Sequence, residues 1–189
     1  PWGIVGRVDN HPGTHAASRA AAPDPARHHR PTPKGHHDMD RLAIGDVFKE
    51  AWKTQASQTQ AIWKKAEELG VGRDLIELVY VRASQINGCA FCLDVHVREG
   101  LKAGLNTLKL SVTPAWRDAG DVYDDTERAA LAIAEIATDP AKAHANVDEY
   151  NEAREVLGDD VASLLSWATI CINGWNRMHA LSHTPVEGK

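Results

Sequence analysis

ELVYVRASQINGCAFCLDVH, residues 77–96, holds the turn on which the reading of this chain depends. Apolar residues Leu75, Leu78 and Val79 lead into it at helical spacing, and Asn87-Gly88 breaks the period with a turn signal. The spacing predicts a helix over about residues 73–86, a turn, and a further helix that opens at the cysteines and stops near Gly104. Two of the chain's three cysteines stand as Cys89-x-x-Cys92, and His96 follows Cys92 by four positions, so on a helix the three side chains share a face. A thiol reacts as its thiolate, which a nearby imidazole and the positive end of a helix both favour. The pattern therefore offers a nucleophile, a resolving thiol and a proton acceptor, with Glu77 brought back by the turn to orient the imidazole.

Other readings of the same residues stand beside this one. Cys89, Cys92 and His96 would supply three of the four ligands of a closed zinc site, but Cys171 lies far off in sequence. Taken alone, Glu77 reads as a surface carboxylate paired with Arg73 or Arg82, and His96 as a satisfied core histidine. Cys171 falls on the apolar stripe of the last helix, which points to a buried, inert thiol. Trp116, Trp167 and Trp175 read as core or subunit-contact aromatics. Asn173, Asn176 and Arg177 are polar groups beside the same stripe, and burying them requires partners that the sequence does not name.

Helical periodicity continues on both sides. Upstream, Ile44, Val47, Phe48 and Ala51, then Ile62, Trp63, Ala66 and Leu69 before Gly70, predict one long helix or two short ones. Downstream, a short helix spans about 105–112, and Pro114-Ala115-Trp116-Arg117 reads as a loop. Asp124-x-x-Glu127 is a capping box for a helix ended by Asp139-Pro140. A helix from Val147 to Leu157 stops at Gly158, and the last helix carries Val161, Leu164, Leu165, Ala168, Cys171, Ile172 and Trp175 on one stripe. No segment alternates as a strand does, so the fold class is all-α, a compact helical bundle.

At 189 residues, with 43% hydrophobic and 25% charged residues, the chain suits one globular domain. A net charge of -5 leaves no electrostatic footprint for nucleic acid or an anionic membrane, and no apolar run is long enough to span one. Residues 1–38 differ in kind: six of the nine prolines and six of the ten histidines fall there, which predicts a disordered tail, or sequence upstream of a start at Met39. His28-His29 and His36-His37 in that tail form no preorganised metal site by pattern. Residues 39–189 form the domain, and an odd cysteine count with one close pair fits a reducing compartment, the cytoplasm.

Glu77, followed twelve positions later by Cys89-x-x-Cys92-x-x-x-His96, resembles the signature of the alkylhydroperoxidase D-like (AhpD-like) branch of the carboxymuconolactone decarboxylase superfamily. Leu78 to Gly88, Pro114-Ala115-Trp116-Arg117 and Ile172-Asn173-Gly174-Trp175-Asn176-Arg177 resemble further blocks of that family in the same order, from Met39 to about Ala180. The resemblance implies an all-α fold that assembles as a homo-oligomer, and a peroxiredoxin-type peroxidase working without metal or flavin. It implies that Cys92 attacks the peroxide, Cys89 resolves, and His96 with Glu77 relays the proton. It also implies a peroxide substrate and an external dithiol reductant of lipoyl or thioredoxin type. Phe91 departs from the pattern, because the best-studied members carry a second histidine between the cysteines. Decarboxylase members generally lack the cysteine pair, which disfavours lactone decarboxylation.

Overall fold

The computed structural model describes residues 41–186, and no strand occurs among them. The expected tail over residues 1–38, with its histidine pairs, lies outside the described residues. The chain runs through α1 (Ile44–Val47), α2 (Lys49–Leu69), α3 (Arg73–Asn87), α4 (Ala90–Ala103) and α5 (Thr107–Val112). A 3-10 turn over Thr113–Asp118 leads to α6 (Asp125–Thr138), α7 (Pro140–Ala145), α8 (Val147–Leu157) and α9 (Asp159–Ser182).

The centre of the bundle is α3, packed against α4, α6 and α9. Its residues Ile76, Leu78, Val79, Val81 and Ala83 are wholly buried on several sides of the helix, as an enclosed helix requires, and Glu77 and Ser84 are buried among them. Alanines 130 and 134 on α6 and Ala168 on α9 present small side chains in the same core, which lets helix axes approach closely. Both proposed signals at the ends of α3 and α6 operate. Gly88 takes φ 64° and ends α3 with backbone bonds from Gly88 N to Gln85 O (3.2 Å) and Cys89 N to Ser84 O (3.1 Å). At α6, the Asp124 carboxylate accepts from Glu127 N (2.8 Å) while the Glu127 carboxylate accepts from Asp124 N (3.1 Å).

Three details differ from the sequence expectation. The upstream helical stretch breaks at Phe48 (φ -113°, ψ 71°) into a four-residue turn and a helix of 21 residues. Pro114 to Arg117 is a 3-10 turn and not an irregular loop. Pro140 both ends α6 and opens α7, because proline at the first helical position sacrifices no hydrogen bond and the Asp139 carboxylate accepts from Ala141 N at 3.0 Å. Of the three tryptophans singled out, Trp116 is buried, Trp175 packs against the core edge-on to Trp52, and Trp167 is 54% exposed.

Glu135 knots the far side of the bundle. Its carboxylate accepts from Arg82 (2.6 and 2.8 Å), Arg117 (2.6 Å) and the Trp116 indole (3.0 Å), which ties α3, the 3-10 turn and α6 together. Burial alone would push this carboxyl up, but the hydrogen bonds from Arg117, Trp116 and Arg82 outweigh it and hold it at about 2. A carboxyl depressed by folding stabilises the fold above its ordinary value of about 4.5, and that contribution fades as pH falls towards 2. Glu135→Gln, which leaves the 14%-exposed Arg82 guanidinium without a carboxylate while Arg117 keeps Glu149, is expected to cost about 3–5 kcal/mol in urea unfolding at pH 7. The gap between wild type and variant should shrink between pH 4.5 and 2, the window in which the carboxylate protonates. A pH-independent gap would contradict this role.

Candidate dithiol site

The site is assembled at the two-residue connection between α3 and α4. Because Gly88 turns the chain so tightly, Cys89 becomes the N-cap of α4 and its Sγ accepts from the Cys92 backbone N–H at 3.4 Å. Cys92 follows in the first turn, and both thiols are free and buried. They share a hydrogen bond with Sγ to Sγ 2.6 Å, so a covalent bond of about 2.05 Å requires only a short further approach.

A second pair lies one turn along. Glu77, 1% exposed, sits in the second turn of α3, and its Oε2 is 2.8 Å from His96 Nδ1. An ionised carboxylate only accepts, so the Nδ1 hydrogen points at Glu77 and the opposite ring nitrogen is left for other chemistry. Arg73 stands 3.4 Å from the other carboxylate oxygen and reaches Glu99 on α4 at 2.7 Å. The surface reading of Glu77 therefore fails on burial, although its pairing with Arg73 holds. Arg82 pairs with Glu135 instead. Gly100 faces this contact: an added Cβ would lie 3.6 Å from Glu77 Cβ, an ordinary packing distance, and 2.9 Å from Leu105 Cδ1, which would have to shift.

All four residues singled out in the sequence thus converge on the α3–α4 hairpin, but as two separate pairs. Among the described residues no hydrogen bond joins either thiol to His96. Nor does any group of three His, Cys, Asp or Glu side chains there stand ready to hold a metal ion. Burial, together with the Cys89 thiol beside it, pushes the Cys92 thiol up to about 12, while the amide of Asn176 pulls the other way.

Asn176 belongs to a polar network whose partners the sequence left unnamed. The Asn87 amide donates to Asn173 Oδ1 (2.5 Å) and Asn176 Oδ1 (2.8 Å), and Asn176 Nδ2 donates to Ser84 Oγ (3.0 Å). Asn173 Nδ2 donates to Thr138 Oγ1 at 3.2 Å, so α3, α6 and α9 are bonded together directly behind the cysteines. Asn87, read in the sequence only as a turn residue, is the hub. Cys171 is buried on α9, where burial raises its thiol while Thr59, Trp175 and Gln55 oppose the shift, in keeping with a structural role.

Tyr80 is a residue the sequence reading missed. One turn from Glu77, it lies edge-on to His96 with ring centroids 4.7 Å apart, and its buried hydroxyl has no hydrogen-bond partner. Burial, then the neighbouring Cys171 and Glu77, drives that hydroxyl's pKa upward and keeps it neutral. An unpaired buried hydroxyl loses its bonds to water without replacement. Tyr80→Phe is therefore expected to leave stability unchanged or raise it by about 1 kcal/mol in thermal and urea unfolding. A loss of stability would show that the hydroxyl is in fact paired.

Residues 53–135 match the carboxymuconolactone decarboxylase family, a span that includes α3 and α4 entire. Over 115 residues the chain is 31% identical to the uncharacterized protein YdfG of Bacillus subtilis (strain 168), covering 61% of this chain and 78% of YdfG. The fold is also similar, with a TM-score of 0.69 and 31% identity, to the crystal structure of a protein of unknown function from Agrobacterium tumefaciens, named provisionally as an antioxidant defence protein AhpD. That likeness covers 78% of this chain and 99% of the other.

Proposed function

We propose that this chain, which belongs to the AhpD-like branch of the carboxymuconolactone decarboxylase family, is a thiol peroxidase that reduces hydrogen peroxide or organic hydroperoxides through Cys89 and Cys92. The observation that carries this reading is the pair of free thiols, 2.6 Å apart, at the start of the helix whose His96 bonds the buried Glu77. The antioxidant name of the Agrobacterium tumefaciens structure supports the same direction.

The Cys92 sulfur attacks the O–O bond; the distal oxygen stays on sulfur as a sulfenic acid, and the alcohol or water leaves. Since burial keeps the Cys92 thiol up at about 12, its proton is removed during the reaction and not beforehand. His96 receives that proton as general base, and Glu77 fixes the ring and stabilises the imidazolium, a division of labour that generalises the familiar triad. Cys89 then condenses with the sulfenic acid, water departs, and the new disulfide is reduced by an external dithiol of lipoyl or thioredoxin type. No helix among the described residues is long and apolar enough to cross a membrane, and we place the activity in the cytoplasm, where such donors are kept reduced. Assembly as a homo-oligomer is part of the same proposal.

A second reading, a thiol–disulfide oxidoreductase or redox-responsive interaction protein, draws on the separation of the two pairs: nothing bonded to Cys92 removes its proton in the resting state. Peroxide consumption with excess dithiothreitol separates the two. Sustained turnover is expected in the wild type, none in Cys92→Ser, and a slowing of about 10²–10⁴-fold in His96→Ala. Turnover retained in Cys92→Ser would overturn the choice of nucleophile, and disulfide formation without turnover would favour the second reading.

A further inference from the structure

A cavity of about 410 Å³ opens beside the N-terminus of α4, walled on one side by Cys89 and Phe91 and on the other by His179, His183, Thr184 and Val186. Of the two reactive thiols only Cys89 stands on this wall; neither Cys92 nor His96 does. Cys89, 3% exposed, is thus the thiol of the pair nearest this cavity, with Cys92 bonded behind it.

Two imidazoles face that entrance, and they differ in how they are held. His183 is exposed and sits at the end of α9 with φ 49°. His179 is half-buried, one turn earlier, and its ring is fixed from several directions. Phe91 lies against one face with centroids 4.2 Å apart and an interplanar angle of 32°, and Trp175 stacks at 6.1 Å. Nδ1 is engaged with Thr184 Oγ1 at 2.9 Å, and Nε2 has no hydrogen-bond partner among the described residues. Of the titratable groups around it, His96 on α4, His183 on its own segment and Cys89 across the cavity, only His96 shifts it. Burial first, then the neighbouring His96 imidazole, which disfavours a second positive charge nearby, holds His179 below the usual histidine range, so the ring is a neutral base at pH 7.

We infer that His179 is the catalytic base of the reductive half-reaction, accepting through Nε2 the proton of an external dithiol whose sulfur attacks Cys89 from the cavity. The inference rests on the dithiol–disulfide cycle proposed above and assigns a residue to the one step that the Glu77–His96 pair does not face. In the first exchange the donor's S–H gives its proton to His179, the donor sulfur bonds to Cys89 Sγ, and the Cys89–Cys92 bond breaks with its electron pair on Cys92. Cys92 then takes the proton from the imidazolium. In the second exchange the donor's other S–H gives its proton to His179 and its sulfur attacks the donor sulfur bound to Cys89. Cys89 leaves with the electron pair and is protonated in turn. The donor is oxidised to a disulfide and the protein disulfide is reduced to two thiols.

The test uses the full chain oxidised with diamide, so that it does not depend on peroxide, and follows reduction of the disulfide by dithiothreitol from pH 6 to pH 10. At pH 7 the donor thiol is almost wholly protonated and a base matters; above about pH 9.5 it ionises unaided. His179→Gln is expected to slow reduction by about tenfold to a hundredfold at pH 7, with the deficit vanishing above about pH 9.5. Thr184→Val, which frees the ring without removing it, should show a smaller deficit that closes over the same range. Equal rates at pH 7, or a deficit that persists at high pH, would overturn the assignment of His179 alone. Failure of diamide to form a Cys89–Cys92 disulfide would overturn the dithiol cycle itself.

Discussion

A carboxylate within a buried helix has to be answered, and here His96 answers Glu77. At 1% exposure Glu77 cannot rely on water, so the imidazole 2.8 Å away and the Arg73 guanidinium at 3.4 Å fix where α4 lies on α3. Everything at the dithiol follows from that register. The connection must be short enough to need glycine at 88, and Cys89 consequently caps the helix whose first turn holds Cys92.

The two halves of the site are rigid for different reasons. Glu77 and His96 are held by each other and by the apolar core around α3. The cysteines are backed by the amide network of Asn87, Asn173 and Asn176, which joins three helices at the end of α3. Because no hydrogen bond bridges the halves, the proton transfer from Cys92 to His96 in the peroxidase cycle proposed above belongs to the reacting state, with peroxide between them. Such geometry is ordinary for resting enzymes, whose catalytic hydrogen bonds tighten on substrate binding.

Features set by local sterics were legible in the sequence. The Asn87-Gly88 turn, the Asp124–Glu127 capping box and the stop at Gly158 each depend on residues within a few positions. The role of Pro140 as a helix start was also legible, but proline was read only as a stop. What the sequence could not show is contact between distant segments. Glu135 gains its importance from Arg82 and Arg117, 53 and 18 residues away, and Asn176 from Asn87, 89 residues away. His179 likewise acquires meaning only when α9 lays it against Phe91, and no pattern in the sequence announces that meeting.

The central claim is that Cys92 takes an oxygen atom from peroxide, and chemical trapping tests it most directly. A Cys89→Ser protein, unable to form the intramolecular disulfide, is treated with one equivalent of hydrogen peroxide in the presence of dimedone and mapped by peptide mass spectrometry. The account predicts a dimedone adduct on Cys92, lost when His96 is also replaced by alanine and the reaction is kept short. An unlabelled Cys92, or a label confined to Cys171, would contradict it.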